Sequence, residues 1–229
     1  MSLVLSTAVH GPEIKLPLYL DDDLQYRFET GTAIGGPASG IYELVTTFRV
    51  DSDTAYTHGV EIYRADLRIS GGGGSKTVVL KIAATQDSFE SLLDEGRFYA
   101  AHLGPLVNES LVPICYGAFR VLNRQEEEQA FGCLVLQDCG RCIRHADVKL
   151  RDRDTNGRAE NIRAGVLLAV FKLHKHGVVH GDLKFHHITL LNGRTPCIID
   201  FTSAIAEHKC ECIMSETQLW GIPEPLKDD

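Results

Sequence analysis

The chain has 229 residues and a formal charge of −8, long enough for one large domain or two small lobes with a real core. The acidic balance argues against a nucleic-acid surface. No apolar run reaches the ~18 residues of a membrane span, and residues 1–10 lack the basic start of a secretory signal. Seven cysteines, odd in number and scattered, point to a reducing compartment, cytoplasmic or nuclear. Cys133 and Cys197 sit inside apolar runs and read as small buried hydrophobes.

Residues 1–44 carry the least pattern. Asp21-Asp22-Asp23 reads as a solvated turn. The glycine-rich stretch 31–40 has the composition of a phosphate cradle but lacks its Gly-Lys-Ser/Thr ending, and Pro37 removes an N–H such a cradle would use; it reads as a flexible connector. Strand period then sets in over 42–50, 59–68 and 76–83, with 70–75 as a glycine-rich hairpin tip.

Lys81 lies inside Val78-Val79-Leu80-Lys81-Ile82-Ala83, a costly place for an unpaired cation. It shares a strand face with Val79 and Ala83, so its ammonium points toward an interior or a cleft; the alternative is an edge-strand lysine snorkelling to water. The next segment is a helix to about Leu103. Asp87-Ser88-Phe89-Glu90 is the predicted capping box, with Asp87 as the cap. Phe89, Leu92, Tyr99 and Leu103 form the apolar stripe of that helix. Glu95 falls on the stripe, whereas Asp94 falls on the wet side with Glu90 and Arg97. A carboxylate on a buried stripe requires a cation, and Lys81 is the nearest candidate.

Residues 111–117 and 131–136 follow as two more strands joined through the solvated tip Glu126-Glu127-Glu128. Residues 151–156 are a polar linker. Ile162, Val166, Val170 and Leu173 space a long helix that Gly177 stops. His174 and His176 near its end suit the helix dipole when charged, with no chemistry assigned to them. Val178-Val179 and Ile188-Thr189-Leu190-Leu191 read as short strands, and Asn192-Gly193 turns the chain into a partner strand through Cys197-Ile198-Ile199. His208-x-Cys210-x-Cys212 invites a zinc reading, with His186 and His187 as further ligands; the spacing is not that of a common zinc finger, and an exposed loop is the simpler reading.

Two carboxylates, Asp182 and Asp200, thus flank one compact loop-and-hairpin unit, with Lys184 on the same loop. Either acid alone could be an ordinary turn former or strand end. Together they suit phosphoryl transfer: one acid orients the acceptor hydroxyl, the other holds a metal, and the lysine neutralises charge in the transition state.

His180-Gly181-Asp182-Leu183-Lys184 resembles the catalytic loop of the protein-kinase-like superfamily, in its Ser/Thr-kinase type, with Gly in the middle position as in the kinase-like and small-molecule phosphotransferase branches. Ile199-Asp200-Phe201-Thr202 resembles the metal-binding Asp-Phe-Gly element, with Thr for Gly. The stretch 200–211 is similar to that of uncharacterised fungal kinase-like proteins. The resemblance covers roughly residues 45–212. It implies an α+β, bilobal fold: an N-terminal extension (1–44), an N-lobe of antiparallel β-sheet with its hinge (45–140), and a short, mainly helical C-lobe (141–229).

The resemblance further implies an ATP-dependent phosphotransferase acting on a hydroxyl of a protein Ser/Thr or a small molecule. It gives Asp182 and Lys184 catalytic roles and places Lys81 and Glu95 on the phosphates. Gly59 becomes the remaining glycine of a phosphate-covering loop over 51–59. The hinge would be 137–140, with Gln137 and Cys139 beside the adenine, and Asp200 and His187 would hold Mg²⁺. ATP is the implied partner beside an unidentified acceptor, with no nucleic acid or membrane. Departures from the pattern imply the alternative, a weak or inactive pseudokinase acting as a nucleotide-responsive binding or scaffold module. Asp51 and Asp53 would repel a triphosphate that they faced. His187 stands where the family has a metal-binding Asn, and nitrogen suits Mn²⁺ better than Mg²⁺. Thr202 stiffens the turn after the metal acid. Only 28 residues follow Phe201, little room for a peptide-substrate platform, with 220–225 left as a short cap.

Overall fold

In a computed structural model of the chain, the residues described are 2–7, 15–20, 41–49, 59–69, 75–121, 132–143 and 158–209. The phosphate-covering loop before Gly59, the 31–40 stretch, the tip at 126–128, the linker at 151–156, Cys210, Cys212 and the 220–225 cap lie outside them. Among the described residues no helix is long and apolar enough to cross a membrane. The chain divides into two units, residues 1–103 with 113–138, and residues 104–112 with 139–229.

The first unit is built on strands whose alternation is visible in the sequence. Its strands are β1 (Ser2–Thr7), β2 (Lys15–Leu20), β3 (Ile41–Arg49), β4 (Val60–Ile69), β5 (Lys76–Ala83), β6 (Cys115–Val121) and β7 (Gly132–Gln137). They close into a barrel in the order β1-β2-β6-β7-β5-β4-β3. The strands within the predicted lobe pair antiparallel as expected, and the one parallel pairing, β1 with β3, is made by a strand of the 1–44 extension. Closure leaves neither seam strand as an open edge. The strands β1 and β2 were not legible. In β2, Leu16, Leu18 and Leu20 do alternate, but Pro17 interrupts the strand pattern and pairs across to Val4.

Val78 and Leu80 of β5 pack with Ala65, Leu67, Tyr116, Phe119, Cys133 and Val135 as one core cluster. Helix α1 (Gln86–His102) lies on β5, β6 and β7. The capping box is two residues earlier than the sequence suggested: the Thr85 hydroxyl accepts from the Ser88 N–H, and the Ser88 hydroxyl accepts from the Thr85 N–H. Asp87 instead sits in the first turn, where its charge meets the positive end of the helix. Gly132 lets the helix approach the sheet: a Cβ there would fall 2.3 Å from both a Phe89 ring carbon and the Phe119 carbonyl. The fourth predicted strand also shifts, starting at Cys115, because Leu111 and Val112 belong to the bend before Pro113.

The second unit contains the short helix α2 (Gly104–Asn108), strand β8 (Arg141–Cys142), helix α3 (Arg158–Lys175), a single 3₁₀ turn (Phe185–His187) and the hairpin β9 (Ile188–Leu191) with β10 (Thr195–Ile198). The sheet order is β10-β9-β8, all antiparallel. Ile162 and Val166 of α3 pack on Ile143, Ile188 and Leu190. The helix stops as its sequence predicts. The Val178 N–H donates to the Leu173 carbonyl and the Gly177 N–H to that of His174, a Schellman closure with Gly177 at φ +75°. Val178-Val179 do not form a strand; Val179 makes one isolated bridge to Ile205.

Candidate functional site

In the first unit, Lys81 projects from β5 onto α1 and meets Glu95. The ammonium lies 2.9 and 2.7 Å from the two carboxylate oxygens. The Glu95 side chain is fully buried and that of Lys81 only 11% exposed, so the lysine is an interior cation and not one snorkelling to water. Asp94, by contrast, is on the wet side and pairs with Arg97. Cys115 lies close enough to Glu95 for the carboxylate to disfavour a thiolate; burial, the larger cause, pushes its thiol up to about 12. Cys133 is pushed up to about 12 by burial alone. Neither serves as a nucleophile at neutral pH.

The other residues assigned to the nucleotide are engaged with their neighbours. Gly59 opens β4 at φ +75°, and its carbonyl accepts from the Ala84 N–H and the Ser88 hydroxyl, tying the start of the strand to the cap of α1. The Gln137 N–H donates to the Ile114 carbonyl, while its side-chain oxygen accepts from the Ile114 N–H. Asp138 pairs with Arg64. Cys139 belongs to the second unit and is buried. The Cys197 thiol donates a hydrogen bond to the Cys139 sulfur, and this bond and burial raise the Cys197 thiol pKa.

In the second unit, a hydrogen-bonded frame joins Asp182, Lys184 and His187, and Asp200 lies beside it. His180 is its peg. Buried against Phe201, its Nε2 bonds the Ile199 carbonyl at 2.8 Å, and its Nδ1 accepts from the Asp182 N–H at 3.3 Å. With Nδ1 an acceptor, Nε2 carries the proton. Gly181 makes the approach possible: it adopts φ +78°, and a Cβ there would fall 2.1 Å from the Ser203 carbonyl oxygen. The loop therefore turns against the segment after Asp200, and only glycine fits the turn.

Asp182 is 40% exposed, and Lys184 reaches both its oxygens, at 2.8 and 2.9 Å. That hydrogen bond holds the Asp182 carboxyl below the usual carboxylate range. The Asp182 backbone carbonyl accepts from Nδ1 of His187 at 2.6 Å. His187 is buried, and burial pushes its imidazole pKa down. Since Nδ1 holds the proton that the carbonyl requires, Nε2 of the neutral ring is a bare lone pair. It stands 3.3 Å from Oδ2 of Asp200. Two electron-rich atoms so placed suit a shared cation: ligand bonds of about 2.0–2.2 Å on one ion place two donors at this separation. The nitrogen–oxygen pair fits Mn²⁺, Co²⁺ or Zn²⁺ better than Mg²⁺, which prefers oxygen. Asp200 itself adopts φ +68°, a region aspartate tolerates, and the Thr202 hydroxyl donates to its Oδ1 at 2.8 Å.

Sequence reasoning gave no role to His180 or to the Thr202 hydroxyl. The signal for His180 was a histidine inside an otherwise apolar approach to the loop, where an imidazole has to find two partners. For Thr202 the signal was a hydroxyl two residues after a carboxylate, a spacing at which the side chains meet.

No family model matches the chain, and no curated protein matches it. A solved structure that does match is titled "Structure of vaccinia related kinase 3", with a TM-score of 0.49 and 17% identity. The match covers 81% of this chain and 58% of that one, so the chain spans well under two thirds of the matched structure's length.

Proposed function

We propose that the chain is an ATP-dependent phosphotransferase of the protein-kinase-like superfamily that moves the γ-phosphoryl group of ATP to a hydroxyl acceptor. The observation that carries this reading is the frame in the second unit: His180 and His187 fix the backbone at Asp182 and Ile199 by hydrogen bonds, Lys184 pairs with Asp182, and Asp200 lies 3.3 Å from His187. Nothing in the packing of a hairpin requires two acids and a lysine there.

In this reading Asp182, kept ionised by Lys184, accepts the hydroxyl hydrogen bond and orients the acceptor oxygen. Lys184 offsets charge on the moving phosphoryl group. Lys81, fixed by Glu95, binds phosphate oxygens as a positioned cation. Asp200, with His187 beside it, holds the divalent ion. Bound there, such an ion neutralises phosphate charge. Gly59, Gln137 and Cys139 serve the nucleotide through backbone groups. The lobes are residues 45–140 and 141–229, following an extension over 1–44.

A second reading has its own observation. The His187 nitrogen in place of an oxygen donor supports a fold that binds nucleotide weakly with Mg²⁺ and acts as a nucleotide-responsive module. Thermal-shift titration with ATP and Mg²⁺, Mn²⁺ or Co²⁺, followed by autophosphorylation of wild type and Asp182→Asn, separates the two. The enzyme reading expects a shift, plus label incorporation that the variant loses. A shift without incorporation leaves the binding module, and no shift with any metal removes both.

A further inference from the structure

Asp200 and His187 are restrained to unequal degrees, although the phosphotransfer reading gives both to one ion. The His187 ring is held on three sides. Its Nδ1 donates to the Asp182 carbonyl, its face stacks on His180 with centroids 5.6 Å apart, and the His186 ring meets it edge-on at 4.2 Å. The Asp200 side chain is 33% exposed, so water competes for it, and its carboxylate can turn about the Cβ–Cγ bond. It also has a reason to turn away. Without an ion, the bare Nε2 of His187 and the anionic Oδ2 are two electron-rich atoms 3.3 Å apart. Against this the structure sets the Thr202 hydroxyl, which donates to Oδ1 at 2.8 Å. Phe201, between the two residues, is buried, so the main chain that carries both side chains is anchored.

We propose that Thr202 is a positioning residue for the metal: its hydroxyl arrests the Asp200 carboxylate with Oδ2 toward Nε2 of His187 and so favours an ion that accepts nitrogen. The inference rests on the assignment of Asp200 and His187 to that ion. A hydroxyl has one proton, and donating it to Oδ1 leaves Oδ2 for the metal. An ion on Oδ2 and Nε2 then meets a chelate set before it arrives, and binding carries no further cost of ordering the acid. Among the described residues no group of three metal-ligating side chains converges, so phosphate oxygens and water complete the shell. Mn²⁺ gains from the nitrogen, whereas Mg²⁺ prefers oxygen, so the restraint favours Mn²⁺ more. Glycine, usual at this position in the Asp-Phe-Gly element, offers no hydroxyl. Thr202 itself is exposed and fills no core space, so Thr202→Val removes the hydroxyl at nearly constant shape and leaves no cavity.

The test is a titration of the full chain with Mn²⁺ and the β,γ-imido analogue of ATP. It is read by water-proton relaxation, which an ion bound to the protein enhances far more than the Mn²⁺–analogue complex in solution. Thr202→Val should weaken binding of the Mn²⁺ complex about 10-fold or more, as loss of a hydrogen bond to a metal ligand does. Competition with Mg²⁺ should show that the preference for Mn²⁺ has fallen. Thr202→Ser, which keeps the hydroxyl, should bind as wild type does. In a His187→Ala chain the valine change should add little, because the nitrogen toward which Oδ2 is turned is gone. Urea midpoints report whether each variant folds as wild type. Unaltered affinity in Thr202→Val, failure of serine to retain binding, or an equal further loss in the His187→Ala chain overturns the positioning role while the metal assignment stands. A wild-type chain that gives no enhancement with Mn²⁺ and the analogue overturns the assignment of Asp200 and His187 to the ion, and the role of Thr202 with it.

Discussion

The two charged clusters, one in each unit, solve opposite problems. Glu95 is buried on the apolar stripe of α1 and Lys81 reaches it from β5 with little exposure, so each is tolerable only because of the other. Asp182 and Lys184 are 40% and 55% exposed, and water would receive either of them if its partner left. The first pair is therefore bound up with folding. The second is held in place by neighbours, chiefly His180, whose bonds concern geometry rather than charge. Exposed acids aligned by buried histidines are what a reactive site needs and what a folding core does not.

The comparison predicts unequal penalties. Lys81→Met leaves Glu95 buried without its cation and should cost about 3–5 kcal/mol, measured as a shift of the urea midpoint at constant slope. The double variant Lys81→Met with Glu95→Leu should recover most of that, because two matched apolar groups remove the orphan charge. A loss for Lys81→Met below about 1 kcal/mol would break the contrast, since it would mean that water reaches the pair. Next is His180→Ala, which removes two hydrogen bonds and packing on Phe201, at about 2–3 kcal/mol. Asp182→Asn should move the midpoint only slightly, because the pair is solvated, while any phosphoryl transfer falls by about 10²–10⁴.

His187→Asn sharpens the same contrast from the metal side. It exchanges the bare nitrogen facing Asp200 for an amide whose oxygen suits Mg²⁺, so the stabilisation of the ATP complex by Mg²⁺ should rise toward that by Mn²⁺. An unchanged preference would show that Nε2 takes no part in holding the ion.

Much of the interior was legible because burial leaves a period. Val78 and Leu80 alternate as a strand should, and Glu95 was marked as buried by falling in line with Leu92 and Tyr99. The stop at Gly177 and the turn at Asn192-Gly193 were legible because few residues adopt positive φ cheaply. What the sequence hid depends on contacts between distant segments. The seam of the barrel joins β1 to β3 across more than thirty residues, and no local pattern announces a parallel pairing. The cap of α1 was misplaced by two residues because both Thr85 and Asp87 are good caps, and only the backbone decides which of them turns extended. His180 and His208 look alike in sequence; their partners, Ile199 with Asp182 in one case and His174 in the other, are set by tertiary packing.

The smallest predicted effect is a dependence on acidity that follows from the histidines of the second unit. Burial lowers the pKa of His187, and burial with the neighbouring His208 lowers that of His174, both from 6.5. Each therefore takes up a proton more readily in the unfolded chain than in the folded one, and protonation favours unfolding. Without added metal, the melting temperature should hold above pH 6.5 and decline as pH falls from 6.5 toward the depressed folded values. Asp182 behaves oppositely in kind: its contribution, screened by solvent, persists above 3.8 and fades only as pH drops below that value. His187→Asn should flatten the upper window and leave the lower one untouched, whereas Asp182→Asn should do the reverse. A decline above pH 6.5, or one indifferent to both His187→Asn and His174→Ala, would place the acid-sensitive groups elsewhere, and the imidazoles of the frame would then be solvated rather than packed.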